Sequence, residues 1–226
     1  MCTFRHIPTD KRFFFIHIPR TAGRFIEANL MQNNNFEWDD HRKIDIVKMY
    51  QTYDGIEVDH FHRDHYEKYL DIEGIPHVTI VRNPLDRFIS GSRYIKKMYG
   101  DDIQELMEDE NYFYSMLTNF PLSESVNWYR SQLDFITDKT NIWRFEDGFG
   151  EEFVSWLSGT IGIDLEFTDD VEYPRHLDKG STLEPTPKLL HNLRHLYRKE
   201  IDRFYPELAA PLQEGAETKA ETTGTP

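Results

Sequence analysis

One cysteine, Cys2, stands in the 226 residues, so no internal disulfide framework and no Cys-x-x-Cys zinc site can form. No run of some eighteen apolar residues occurs, so no segment is expected to span a membrane. Residues 1–12 are polar and charged and lack the apolar core of a secretory signal. The apolar stretch 13–18 is too short for one, and a cytoplasmic protein is the expectation. Basic residues are in deficit too: 26 Lys and Arg stand against 40 Asp and Glu, a net charge of −14. Nucleic-acid binding rests on neutralising phosphates, so this balance argues against nucleic acid as a partner and against a long polyanion as substrate. A small anionic ligand stays open, because a local site can be basic within an acidic protein.

Such an island exists. Residues 82–97 hold Arg82, Arg87, Arg93, Lys96 and Lys97 against Asp86 alone. The last three suit a solvated helix face. Arg82 differs, because it directly follows the β-branched, continuous run His77-Val78-Thr79-Ile80-Val81, which reads as a buried parallel strand. Pro84 then sits where a helix opens, a position at which its missing N–H costs nothing.

The same pattern occurs about sixty residues earlier. A strand over 13–18 runs into Pro19-Arg20-Thr21-Ala22-Gly23, and a helix over 22–32 ends at Asn33-Asn34-Asn35, since asparagine tolerates the left-handed conformation. Further along, 39–53 carries a moderate helical stripe, 57–62 alternates as a short strand would, and 65–70 is a short helix. Two or three aromatic-rich helices fill 101–138, with a loop at Phe120-Pro121. A strand at 141–145 leads through Glu146-Asp147, read as a helix cap, into a helix reaching about 158. Residues 164–187 are loop-rich, and Thr186-Pro187 opens a last helix with Leu189, Leu190, Leu193, Leu196, Tyr197 and Ile201 on one face. Strands alternating with helices predict one α/β domain over 1–208, a central mostly parallel sheet flanked by helices. The Ala-, Thr-, Glu- and Gly-rich residues 209–226 predict a disordered tail.

Open α/β sheets bind phosphorylated ligands beyond the carboxyl ends of their strands. In the first turn, Gly23 allows close backbone approach, the following helix directs its N-terminal amides at the turn, and Arg20 adds a bidentate cation. No Walker lysine loop is present. In the second, Arg82 and Ser90 lie about two helical turns apart and converge on one phosphate, with Arg87 a helper or an ion-pair partner. Together they read as two grips on one doubly phosphorylated cofactor.

These residues carry a resemblance. His17-Ile18-Pro19-Arg20-Thr21-Ala22-Gly23, with Val81-Arg82-Asn83-Pro84-Leu85-Asp86-Arg87-Phe88-Ile89-Ser90, resembles sulfotransferases that use 3′-phosphoadenosine 5′-phosphosulfate (PAPS). The likeness is to the carbohydrate branch that includes the heparan sulfate 2-O-sulfotransferases, and it extends through residues 142–147 and 196–205. It implies a P-loop-like sulfotransferase fold, with the 5′-phosphosulfate held by Arg20, Thr21, Ala22 and Gly23 and the 3′-phosphate by Arg82 and Ser90. Two departures stand out: Arg20 replaces the family's lysine, and Arg24 with Phe25 replaces small hydroxyl residues, Arg24 being a substitute phosphate donor.

Transfer to a hydroxyl calls for a base, and histidine suits neutral pH. Asp59-His60-Phe61-His62-Arg63-Asp64-His65 offers three, and in a strand His60 and His62 share a face. The resemblance puts the family's base at this H-x-H, with His62 first and His60 second, the two not separable here. A metal on these histidines is a possible alternative that sulfuryl transfer does not require. His17 reads as structural, Glu27 as a surface carboxylate or a substitute base, and Trp128, Tyr129 and Trp143 as core. Arg175-His176-Leu177-Asp178-Lys179-Gly180-Ser181 resembles the family's late loop over the cofactor. The expectation is an O-sulfotransferase acting on a sugar or glycoconjugate, with 3′,5′-ADP (PAP) as product. The rival readings are a non-catalytic nucleotide-binding module and an ATP-dependent transferase. Oligomeric state is left open.

Overall fold

Phe13, Phe14, Phe15 and Ile16 are apolar in both registers of a period-two pattern, so the strand that carries them needs cover on both faces. It has that cover. In the computed structural model, which describes residues 2–39, 52–53, 56–57, 60–99, 128–172 and 185–209, all four are buried at the centre of a sheet. That strand is β2 (Arg12–Ile16), flanked by β1 (Cys2–His6), β3 (Phe36–Asp39), β6 (His77–Val81) and β7 (Thr140–Arg144) in the order β3-β1-β2-β6-β7. Separately, β4 (Thr52–Tyr53) pairs antiparallel with β5 (Ile56–Glu57).

The sheet is mixed, which corrects the mostly parallel expectation. β2, β6 and β7 run parallel, whereas β1 pairs antiparallel with both β2 and β3. The physical reason is the link of only five residues, 7–11, between β1 and β2. A parallel neighbour needs a crossover of roughly a dozen residues, so the chain turns back, with Asp10 at φ 58°.

Phe13 and Phe15 project into one core with Phe25, Ile26 and Leu30 of α1 (Gly23–Asn33) and Phe153, Leu157 and Ile161 of α4 (Glu151–Ile161). Phe14, Ile16 and Ile18 enter the opposite core with Phe61, Phe135 and Tyr66 of α2 (Arg63–Tyr69). A third cluster joins Leu85 and Phe88 of α3 (Pro84–Tyr99) to Leu189 and Leu193 of α5 (Pro187–Leu196), Tyr197, and Ile201 of α6 (Arg198–Phe204). The stripe read from the last helix is thus its buried face, and the Thr186 hydroxyl caps it by accepting from Leu189 N–H at 3.2 Å. Asn35 takes the left-handed turn after α1, with φ 54°.

Two further readings change. Residues 60–62 are not a strand; His62 is the extended N-cap of α2. Glu146 does not cap α4, whose N-cap is Gly150. The stripe over 44–51, the aromatic helices over 101–127, the late loop 175–181 and the tail from 210 lie outside the described residues. No described helix is long and apolar enough to cross a membrane.

Candidate active site

The turn after β2 is built on strained backbone. Arg20 and Ala22 both occupy the left-handed region, at φ 70° and 72°, which costs non-glycine residues on the order of 1 kcal/mol or more each. Two contacts hold it. The buried Thr21 hydroxyl donates to Ile18 O at 2.8 Å, so Thr21 can offer a ligand only its backbone. The His17 ring lies against Gly23 so closely that a Cβ there would sit 2.2 Å from Nε2. The glycine expected to admit a ligand therefore admits His17 on that side. Ala22 is the N-cap of α1 without a side-chain cap. The first amides of a helix have no intrahelical acceptor and carry its positive dipole end, so those of α1 face outward at this turn.

Arg82, the first residue past β6, meets this turn from the side. Its Nη1 donates to Arg20 O at 3.2 Å, and its guanidinium lies 4.4 Å over the Phe145 ring. Its Nε is buried with no hydrogen-bond partner, and burial lowers its pKa. Arg20 Nε donates to Ser90 Oγ at 2.9 Å, and its guanidinium lies 5.2 Å from the Tyr94 ring centre. Arg20, Arg82 and Ser90, 70 positions apart at the extremes, thus form one cluster between two strand ends. Arg87 stands apart from it. Fully buried, it donates to Trp128 O at 3.2 Å and to Arg130 O, tying the chain around 128–130 to α3 instead of helping at a phosphate.

A row of rings continues from the cluster. Tyr94 stacks on Trp128 at 4.6 Å and 13°, Trp128 meets His60 at 5.2 Å, and His60 meets His17 at 5.7 Å. His17 Nδ1 lies 3.1 Å from Glu27 Oε1, and Glu27 Oε2 lies 3.6 Å from Arg24 Nη1. Glu27 is therefore a buried, paired carboxylate and not the surface acid expected. Its position gives the only sequence signal available: it falls on the apolar stripe of α1 between Gly23, Ile26 and Leu30.

His60 and His62 do not share a face. His62 packs against His65 with ring centres 4.3 Å apart, and its Nε2 is buried without a partner. Burial first, and then Arg130, lower its pKa to about 4. Among the described residues no group of three or more His, Cys, Asp and Glu is arranged to hold a metal.

A cavity of about 1020 Å³ opens between α4 and residues 162–169, lined by Phe25, Phe149, Val154, Leu165 and Phe167 among others. It does not include the three clustered residues. Aromatic contacts connect it to them: Phe25 to Phe149 at 5.6 Å, and Phe149 to Phe145, the ring under Arg82, at 5.5 Å.

A family model described as "Sulfotransferase family" matches residues 5–155. No curated protein matches significantly. Among solved structures, a sulfotransferase from Alicyclobacillus acidocaldarius is 16% identical over 66% of this chain, with a TM-score of 0.36, and the match spans 59% of that protein's length.

Proposed function

The chain belongs to the sulfotransferase family, and from that premise we propose that it transfers a sulfuryl group from PAPS to a hydroxyl of a sugar or glycoconjugate. The observation that supports this reading most is the cluster of Arg20, Arg82 and Ser90, with Arg20 Nε 2.9 Å from Ser90 Oγ and Arg82 Nη1 3.2 Å from Arg20 O. A doubly phosphorylated nucleotide needs two anion grips a few ångströms apart, and the orphaned buried Nε of Arg82 fits an anionic oxygen.

When bound, PAPS supplies an activated sulfuryl group with 3′,5′-ADP as its leaving group. Arg82 and Ser90 hold the 3′-phosphate. The amides of Thr21, Ala22, Gly23 and Arg24 and the Arg20 guanidinium face the 5′ end, where negative charge grows as the leaving group departs. Arg24 adds a second, half-exposed cation there. The cavity lined by Phe25, Phe149 and Phe167 would hold the adenine base, to which it offers flat apolar contact. His60 is the better candidate than His62 for removing the acceptor's hydroxyl proton, because its ring adjoins His17 and Trp128 beside the first turn, whereas His62 packs on His65. The partly exposed Trp128 next to His60 suits the apolar face of a sugar ring.

Thermal stability with 3′,5′-ADP, 5′-AMP, ADP and ATP tests the reading. A ligand at a hundred times its Kd adds about 2.7 kcal/mol. The expected result is a shift with 3′,5′-ADP that Arg82→Ala abolishes, followed by sulfate transfer to a sugar acceptor. A shift favouring ATP, or none, would overturn it; binding without transfer would leave a nucleotide-binding module.

A further inference from the structure

We propose that Gln132, Glu200, Glu146 and Tyr205 are positioning residues that fix the backbone of Arg82 and Asn83 so that the Arg82 guanidinium is aimed at the 3′-phosphate, an inference that rests on the function proposed above. The starting point is where the sheet stops. β6 pairs with β2 only as far as Thr79 opposite Ile16, and with β7 only as far as Val81 opposite Arg144. Arg82 lies past the ladder on both sides, so no strand supplies partners for its peptide groups.

Side chains supply them instead. Gln132 Oε1 accepts from Arg82 N–H at 2.9 Å, and Gln132 Nε2 donates to Arg82 O at 2.8 Å, so one carboxamide grips both backbone groups of this residue. Gln132 is itself held. Its backbone N–H donates to Glu200 Oε1 at 2.9 Å and its Nε2 to Glu200 Oε2 at 2.7 Å. Both Gln132 and Glu200 are fully buried. The next amide, Asn83 N–H, donates to Glu146 Oε1 at 2.7 Å, while Glu146 Oε2 accepts from the Tyr205 hydroxyl at 2.8 Å. Two successive amides of the turn are thus braced through one intermediary each to α6 and the residue that follows it.

Stability alone does not ask for this arrangement. A buried carboxylate costs several kcal/mol to desolvate, and an apolar side chain of similar volume often packs there at no loss. What the brace does achieve is local: its bonds converge on the backbone of Arg82 and of the residue after it, and Arg82 carries a buried guanidinium Nε without a partner. A long side chain magnifies any tilt of its own peptide, so a fixed peptide aims the guanidinium. Both anchors, at 200 and 205, lie beyond the segment 5–155 that carries the family match.

The test compares Gln132→Met, Glu200→Gln and Tyr205→Phe with the wild type by calorimetric titration of 3′,5′-ADP and of 5′-AMP, with melting temperatures alongside. The first two variants should weaken 3′,5′-ADP binding by about tenfold or more while 5′-AMP binding changes less than about twofold. Tyr205→Phe, which removes one outer bond and leaves the ring packing intact, should move the same ratio in the same direction by a smaller factor. Variants that lose melting temperature but keep the preference for the 3′-phosphate would show a purely structural brace and overturn the proposal. If Gln132→Met and Glu200→Gln do not fold, Tyr205→Phe decides by the same ratio. A wild type without that preference would overturn the proposed function first, and this inference with it.

Discussion

His17 donates its Nδ1–H to Glu27 Oε1 across 3.1 Å, with both side chains buried beneath the turn that carries Arg20. The direction follows from charge. The Glu27 carboxyl is held down to about 2, His17 and Arg24 outweighing the effect of burial, so it is an acceptor only. Burial lowers the pKa of His17 while Glu27 opposes that shift, and the Nε2 end of its ring is the one pressed on Gly23. The pair is therefore a strut under the strained residues Arg20 and Ala22.

The first prediction concerns that strut. In Gly23→Ala the new methyl meets the His17 ring at 2.2 Å and one of them must move. A loss of about 1–3 kcal/mol is expected from overpacking, together with weaker binding of 3′,5′-ADP. The double variant Gly23→Ala with His17→Ala should recover part of the melting temperature, because the clash is gone. A single variant as stable as the wild type would mean that the ring does not lie there.

A second prediction concerns pH. His62 stays neutral in the fold down to about pH 4, whereas in the unfolded chain it takes a proton near 6.5. The unfolded state then binds more protons, so stability falls as pH drops from 6.5 to 4, by about 3 kcal/mol. Glu27 has the opposite chemistry and the same sign: its depressed pKa stabilises the fold above about 4.5, and that contribution disappears as pH falls toward 2. Melting curves of His62→Gln should lack the limb between 6.5 and 4, and those of Glu27→Gln should flatten below 4.5. Unchanged slopes would place these groups in water.

The third prediction separates the two candidate bases. His60→Ala should lower kcat by about a hundredfold or more with little change in 3′,5′-ADP affinity. His62→Ala should act mainly on stability, since its ring fills a buried contact with His65. Initial rates and melting temperatures of the two variants decide it, and the reverse outcome would return the role to His62.

A fourth concerns Arg20. Lysine keeps the charge in Arg20→Lys but has no planar fork to bond Ser90 and lie over Tyr94 together. The variant should retain activity well above Arg20→Ala while losing roughly tenfold in donor affinity. Equal activity in the two variants would remove Arg20 from the reaction.

Much of this architecture was legible because it is local. A continuous apolar run, a proline at a helix start and an arginine at a strand end each carry their meaning within a few residues, so β2, β6 and the two turns could be read from 13–25 and 77–90. The helix stripe from Leu189 to Ile201 was legible for the same reason, its period being set by the helix itself. The polar strand β1 was not: with one large apolar residue, Phe4, between Thr3 and Arg5, it becomes a strand only by pairing with β2 and β3. The alternation over 57–62 misled because a pattern of period two acquires a meaning only where a neighbouring strand accepts it, and α2 begins at that point instead.

By itself, then, the sequence determined the strand-turn-helix corners and the residue types they present, since backbone sterics and side-chain period are properties of short segments. Which residues meet was decided only in the tertiary structure. Arg20 reaches Ser90 across 70 positions, Gln132 grips Arg82 across 50, and Glu200 holds Gln132 across 68. No local pattern encodes such pairings, because they depend on how the helices pack over the sheet. That packing also turned Glu27 inward and parted His60 from His62, through burial and contacts that arise only once the layers close.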